Sequence, residues 1–426
     1  MASHFETVDP RVNFIAKEEE ILKWWDENNI PTRYRHLNDD KEKNFSFIDG
    51  PITANNAMGV HHAWGRTYKD LFLRFRNMQG YRQRFQNGFD GQGLWIEVEV
   101  EKEMGFKSKR NIEAFGIGKF VEECRKRVDR FAERISEQSK RLGYFMDWDN
   151  SYHTKSDENN YTIWHFLKTC ADKGWIYKGR DVMPWCPRCG TGLSQHEIVT
   201  EGYQEITHES PYLTFPLIDK NHEGENLLIW TTTPWTLAAN VAAAVNPDYT
   251  YAKVEDHGTV MYLSKSLVTT LKKDHVLTEQ AKVIGEVKGS DLVGLRYRGP
   301  FDELPAQAEA IDQHRVLAWD EVGEDEGTGI VHNAPGAGAE DFKLGNENGL
   351  TPIAPLDQNG IYKEGFGEFT GKSAANVKDM VFDSLKEKSL LIRVNKYTHR
   401  YPVCWRCGTE LVFRLVDEWF ISMDEI

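Results

Sequence analysis

A chain of 426 residues with 40% hydrophobic and 12% aromatic side chains has enough apolar surface for two or three packed domains, which excludes a disordered or low-complexity polypeptide. Its formal net charge of −14 excludes a globally basic nucleic-acid-binding surface, so a phosphate-rich partner must be held by local clusters of Lys and Arg. There is no apolar run of about eighteen residues, and MASHFETVDPRVNF lacks the basic and apolar segments of a secretory leader, which predicts a cytoplasmic protein with no membrane contact.

In chain order, Val12 to Trp25 predicts a helix, with Ile15, Ile21, Leu22, Trp24 and Trp25 apolar among Glu residues and Pro31 ending the segment. Residues 1–44 are read as an N-terminal helical extension that packs and does no chemistry. Phe45, Phe47 and Ile48 form a short strand closed by the breakers Asp49, Gly50 and Pro51. From His62 the pattern turns helical, with Trp64, Tyr68, Leu71, Phe72 and Phe75 three and four apart until Gly80. The loop from Gly50 to His62 thus enters a helix N-terminus, whose unpaired N–H groups and partial positive charge suit an anion such as a nucleotide phosphate. His61 and His62 stand at that mouth, and solvated helix caps are the plainer reading of them.

Phe85 and Phe89 lead into a Gly-rich turn around Asp90, a position where an aspartate is ordinarily just a turn residue. Helical spacing returns over Lys119 to Leu142, with Phe120, Cys124, Val128, Phe131 and Ile135 on one face and Lys and Arg on a solvated one. A further helix is expected over Tyr161 to Ala171, and residues 147–152 hold no acid or base constellation.

The cysteines give a more specific signal. Cys186-Pro-Arg-Cys189-Gly-Thr and Cys404-Trp-Arg-Cys407-Gly-Thr are near-repeats of one knuckle, in which two thiolates turn toward one metal, and two such knuckles complete a tetrahedral zinc site. A redox pair is the alternative for a single Cys-x-x-Cys, and the second copy weighs against it. The knuckles are 214 residues apart, whereas a simple zinc ribbon spaces them by roughly 15 to 20, so a whole domain must be inserted between them. Cys124 and Cys170 fall on apolar helix faces and read as core.

Between the knuckles the period shortens to strands and turns, as in YLTFPLI, NLLIWTTT, YTYAKV and TVMYLS, predicting a mostly β insert. Two stretches stand out within it, the Thr-rich Trp230–Thr236 and the Gly-rich run from Gly327 to Asp341, although Thr is a common strand residue and Gly a common loop one.

The segment from Asp49 to Asp70 resembles the nucleotide signature of class I aminoacyl-tRNA synthetases, and within them the isoleucyl branch. That signature runs Asp-Gly-Pro-Pro, Ala-Asn-Gly, His-x-Gly-His and Lys-Asp; Asp49, Gly50, Pro51, Ala54, Asn55, His62, Lys69 and Asp70 match in register. Ile52 and Asn56 depart from it, and Gly59-Val60-His61-His62 exchanges the first and third members of the tetrapeptide. The resemblance carries His62 over as an ATP contact, with Gly50, Pro51 and Gly59 lining the substrate loop. His61 falls where the family leaves room for adenine, and Gly59 frees the backbone for its imidazole to turn toward the phosphates. Gly88, Asp90, Gly93, Leu94, Ile96 and Glu97 match a second family segment, whose aspartate implies that Asp90 holds the amino-acid ammonium group.

The two insert stretches resemble the family's editing domain. By that resemblance Thr231, Thr232 and Thr233 hold the tRNA 3′ end and its ester, Asp341 receives the ammonium of the wrong amino acid, and His332 rejects the larger correct one. The hydrolytic water is positioned, not activated by a nucleophile. An isoleucine pocket cannot strongly exclude valine, which lacks one methylene, and this pair is the standard instance of that limit.

The resemblance implies an α/β fold, with an incomplete Rossmann-like nucleotide-binding domain at residues 45–180. Residues 181–200 and 398–415 form the zinc-knuckle connection, 201–397 the β-rich editing domain, and 416–426 the start of a return to the catalytic domain. It implies ATP-dependent activation of isoleucine with magnesium, transfer to tRNA(Ile) and hydrolysis of misacylated valyl-tRNA(Ile) by a monomer. The family's Lys-Met-Ser-Lys-Ser loop, anticodon-binding helices and much of the side-chain pocket find no match; Tyr262-Leu263-Ser264-Lys265-Ser266 imitates the loop but lies inside the β insert. A stand-alone editing hydrolase and a non-catalytic zinc-dependent tRNA-binding module remain as alternatives.

Overall fold

The computed structural model describes residues 10–425, which divide into two compact units at Trp175/Ile176. No helix among the described residues is long and apolar enough to cross a membrane.

The first unit opens with α1 (Phe14–Glu27), capped by the Asn13 side chain, and α2 (Ile30–Arg35). Pro31 does not simply end a helix: it occupies the first turn of α2, where its missing N–H costs no hydrogen bond. No residue of α1 is buried, and the expected packing reduces mainly to Trp25, which meets Phe145 edge-on at 5.0 Å.

Four parallel strands follow. β1 (Asn44–Ile48) and β2 (Ile52–Thr53) are separated by the Asp49–Pro51 break, and α3 (Val60–Met78) crosses to β3 (Arg82–Asp90). Helices α4 (Leu94–Glu103), α5 (Lys109–Phe115) and α6 (Ile117–Arg141) return to β4 (Asp147–His153), and α7 (Asp157–Asp172) closes the unit. β3 is central, with β1 and then β2 along one edge and β4 on the other. Parallel strands need such crossovers, and they bring the C-terminal strand ends to one edge, where ligands of α/β sheets sit.

α3 is a helix, as the spacing predicts, and it turns its apolar positions outward. Trp64, Tyr68, Leu71, Phe72 and Phe75 are all exposed, while the buried stripe is Arg66, Asp70, Leu73 and Asn77. The polar members are tolerated inside because each is bonded. Arg66 donates to Ser139 Oγ (2.8 Å) and Asn87 Oδ1 (2.9 Å), Asp70 accepts from the Phe145 N–H (3.0 Å), and Asn77 donates to the Tyr34 carbonyl (2.8 Å). α6 likewise buries Arg127 in a face expected to be solvated.

The second unit begins with β5 (Ile176–Cys186), β6 (Thr191–Gly192), α8 (Gln195–Glu201), β7 (Tyr203–Pro216) and β8 (Glu225–Trp230). It continues through β9 (Ala242–Val245), β10 (Thr250–Asp256), β11 (Thr259–Ser264), α9 (Val268–Lys273), β12 (Lys282–Lys288) and α10 (Gly289–Leu292). It ends with β13 (Val316–Ala318), β14 (Ile330–Asn333), α11 (Ala339–Glu347), α12 (Lys378–Glu387), β15 (Leu391–Pro402) and β16 (Val412–Ile421). A six-stranded sheet runs β12-β10-β11-β8-β7-β15, beside the smaller sheets β13-β9-β14 and β16-β5-β6. β9 is all small residues at 0% exposure, so the backbone of Ala242–Val245 lies deep in the core with β13 and β14 on its two edges. The insert is therefore β-rich, as the alternation in the sequence predicts.

Candidate functional site

In the first unit the sequence break after β1 makes the loop. Asp49 is 1% exposed and held by the Lys69 ammonium and by Arg66 (3.5 Å), and the Tyr152 hydroxyl donates to its carbonyl (2.8 Å). Downstream, Arg127 reaches from α6 to both Asn55 Oδ1 and the Asn55 carbonyl at 2.6 Å, and the Met58 N–H donates to Gln138 (2.8 Å). The loop is thus tied at both ends while Gly50 and Pro51 stay exposed.

Gly59 is the N-cap of α3, and its N–H donates to His62 Nδ1 (3.2 Å). That bond makes Nε2 the nitrogen that carries the ring proton. Burial, with the neighbouring His61 and Arg66, lowers the His62 pKa, so the ring stays neutral at physiological pH. The His61 ring lies against His62 with centroids 3.9 Å apart at a 43° tilt, and a Cβ at position 59 would lie 2.8 Å from His61 Cε1. The exchanged tetrapeptide is therefore coupled: glycine at 59 leaves the space that the His61 ring fills. At the end of β3, Asp90 accepts from the hydroxyls of Thr154 (2.9 Å) and Thr53 (3.3 Å), so its carboxylate is oriented by neighbours on both sides.

In the second unit the Thr-rich stretch leaves β8 and enters a buried 3-10 turn, Pro234–Ala239. The Thr233 N–H donates to Thr231 Oγ1 (3.1 Å), the hydroxyls of Thr231 and Thr233 are 3.3 Å apart, and Thr236 donates to the Thr233 carbonyl (2.8 Å). His332 on β14 bonds Thr236 Oγ1 through Nε2 (2.8 Å) and Asn240 Nδ2 through Nδ1 (3.0 Å). Burial lowers its pKa to about 4. The next residue, Asn333, donates to Asp341 Oδ1 (3.1 Å), whose Oδ2 accepts from the Ala334 N–H (3.0 Å). Burial raises the Asp341 pKa to about 6, opposed by the Ala334 N–H. A Cβ on Gly338 would lie 2.5 Å from Asp341 Oδ2, so glycine there clears the carboxylate. Such a site offers an anion with a fixed hydroxyl and amide frame and no charged histidine.

The four knuckle sulfurs lie within 4.8 Å of one another, with Cys186–Cys407 at 3.5 Å and Cys189–Cys407 at 3.6 Å. Four sulfurs on a tetrahedral ion at about 2.3 Å would be about 3.8 Å apart, so the donor set fits a thiolate-ligated metal. Mutual hydrogen bonding among the four sulfurs lowers the pKa values of Cys404 and Cys407 and raises those of Cys186 and Cys189. Among the described residues no cysteine is in a disulfide.

The family profile of tRNA synthetases class I (I, L, M and V) matches residues 20–426. The chain belongs to that family. It is 41% identical to the isoleucine–tRNA ligase of Pyrococcus abyssi over 99% of this chain and 39% of the relative. It is also 39% identical to the ligase of the same name from Methanocaldococcus jannaschii, over 98% of this chain and 41% of that one. The corresponding figures for the Clostridium tetani ligase are 36%, 99% and 40%. The chain thus spans about two fifths of the length of these relatives.

For this class I synthetase chain, the fold gathers the predicted residues into three places. Gly50, Pro51, Gly59, His61, His62 and Asp90 belong to the C-terminal edge of the parallel sheet and its helix mouth. Thr231, Thr233, Thr236 and His332 join in one hydrogen-bonded chain, Asp341 is held separately by Asn333 and Ala334, which follow His332 in sequence, and the four cysteines cluster. Thr232 is half-buried and makes no side-chain hydrogen bond among the described residues. Thr236, Asn240, Asn333 and Arg127 were not anticipated. Thr236 and Asn333 lie within the Thr-rich and Gly-rich runs that the sequence singles out, whereas Arg127 and Asn240 gain their roles from partners 72 and 92 positions away.

Proposed function

We propose that this chain is the N-terminal portion of an isoleucine–tRNA ligase, carrying part of the site that activates isoleucine with ATP and a pocket that hydrolyses valyl-tRNA(Ile). The observations that support this reading are the hydrogen-bonded run from Thr231 and Thr233 through Thr236 to His332 and the buried Asp341 carboxylate held by the next residue, Asn333, in a chain whose relatives bear the name isoleucine–tRNA ligase. In activation, the oriented Asp90 carboxylate holds the ammonium of isoleucine. His62, neutral and carrying its proton on Nε2, donates to the phosphates of magnesium-bound ATP as charge develops there, with the His61 ring beside it. The rest of the activation site is supplied by protein outside these 426 residues.

In editing, Asp341 receives the ammonium of the misplaced valine, and the threonines hold the ester of the tRNA 3′ end. The water is positioned by this frame, and neutral His332 fills the space that the extra methylene of isoleucine would need. Zinc on Cys186, Cys189, Cys404 and Cys407 closes the two ends of the insert and contributes folding energy. Hydrolysis of valyl-tRNA(Ile) by the purified chain, together with isoleucine-dependent ATP–pyrophosphate exchange by the complete protein, tests both halves. Hydrolysis without exchange would leave a stand-alone editing hydrolase, and neither activity would leave a tRNA-binding module.

A further inference from the structure

Behind His332 the polar chain continues into the core. Asn240, 0% exposed, donates through Nδ2 to the Ala242 carbonyl (2.9 Å) and to His332 Nδ1 (3.0 Å), and its Oδ1 accepts from the Tyr297 hydroxyl (2.7 Å). Tyr297 is 1% exposed and its ring is sandwiched between Phe215 (5.0 Å, 18°) and His314 (5.3 Å, 4°). Asn240 Nδ2 also lies 3.3 Å from the Asn333 carbonyl, farther than its two other acceptors. The Thr236 hydroxyl gives its proton to the Thr233 carbonyl, so it must accept from His332 Nε2–H; His332 Nδ1 must then accept from Asn240, whose remaining oxygen needs a donor. A tyrosine hydroxyl is a donor here because burial raises its pKa far above the usual value.

We propose that Tyr297 is a positioning residue for editing: clamped between two rings, it holds Asn240 in the orientation that keeps His332 as one tautomer in one pose, and so sets the size limit of the pocket. The proposal rests on the editing reading for its functional consequence, but its structural core does not. A buried amide oxygen without a donor drives local rearrangement, so removing the Tyr297 hydroxyl should release Asn240 and with it the imidazole. The shape of the ring sandwich is untouched by Tyr297→Phe, which leaves packing intact.

The test uses the full chain labelled with ¹⁵N-histidine, the His332 signals being assigned by their loss in His332→Ala. In the parent, Nε2 should carry the proton and Nδ1 should be unprotonated throughout pH 6 to 8. Tyr297→Phe should give mixed or exchange-broadened nitrogen signals, and the preference for valyl- over isoleucyl-tRNA(Ile) should fall by on the order of tenfold. A His332 that stays in the single Nε2–H tautomer with sharp signals in Tyr297→Phe overturns the proposal. If the parent hydrolyses neither ester the editing reading fails, and the nitrogen signals alone decide the role of Tyr297. His314→Leu, which keeps an apolar face against the Tyr297 ring and spares its hydroxyl, should leave the tautomer unchanged; if it shifts the signals as much as Tyr297→Phe does, general loosening and not the hydroxyl is responsible.

Discussion

His332 Nε2–H donates to the Thr236 hydroxyl across 2.8 Å, so the histidine of the Gly-rich run and the Thr-rich strand end, 96 positions apart, form one wall. Burial lowers the His332 pKa to about 4, so the ring presents a neutral, shaped surface. His332→Ala should therefore open the pocket and let isoleucyl-tRNA(Ile) be hydrolysed alongside valyl-tRNA(Ile). It should also cost about 1 to 3 kcal/mol of stability by removing a buried ring that is hydrogen-bonded to both Thr236 and Asn240. Deacylation rates for both esters and a urea melt check the two effects.

Asp341 carries an opposite tension. Its folded pKa of about 6 exceeds the ordinary 3.8, so the protonated form is favoured on folding. Any stability from this group is then fully present below pH 3.8 and lost as pH rises through about 6. Asp341→Asn should stabilise the chain at pH 8 by on the order of 1 to 3 kcal/mol, and the gain should vanish as pH falls from 6 to below 4. The same substitution should abolish valyl-tRNA deacylation, because the amide cannot anchor an ammonium. Parallel denaturant melts at pH 8 and pH 4 with activity assays measure this opposition.

His332 titrates in the reverse sense. Its folded pKa of about 4 lies below the ordinary 6.5, so its contribution is present above pH 6.5 and lost as pH falls through 4. His332→Ala should consequently show less acid destabilisation than the parent, by on the order of 3 kcal/mol over that window. Equal pH slopes for the two proteins would show that the ring is solvated.

The signature loop predicts coupled effects at 59, 61 and 62. Gly59→Ala should displace the His61 ring, whose Cε1 lies 2.8 Å from the added methyl. In the complete protein, His62→Ala should cost about 2 to 4 kcal/mol of transition-state stabilisation in isoleucine-dependent exchange. Exchange kinetics of the two variants give the answer, and an undiminished rate in His62→Ala would make the loop a relic.

For the knuckles, metal analysis should give one zinc per chain, and chelation should lower the melting temperature, since a thiolate site couples binding to folding. Cys404→Ser should mimic chelation. Zinc-free protein with all four thiols titratable would contradict the assignment.

What the sequence made legible was local. The paired Cys-x-x-Cys knuckles, the strand alternation of the insert and the break after Ile48 each depend on neighbours in the chain, and each lies where the pattern puts it. The helix from Val60 was legible as a helix, but spacing reveals that it has two faces and not which one the core takes. Arg66, Asp70 and Asn77 are buried only because Ser139, Asn87, Phe145 and Tyr34 meet them from distant segments. Arg127 escaped notice for the same reason, a charge on a charged helix that finds Asn55 on a loop 72 positions earlier. Asn240 and Tyr297 look like ordinary core residues until β9 and β14 bring His332 beside them.

The most direct measurement is the hydrolysis of valyl-tRNA(Ile) and isoleucyl-tRNA(Ile) by the purified chain, with Asp341→Ala alongside. The account predicts rapid release of valine, persistence of the isoleucyl ester and loss of valine release in Asp341→Ala. Equal survival of both esters, or valine release undiminished by Asp341→Ala, would contradict it.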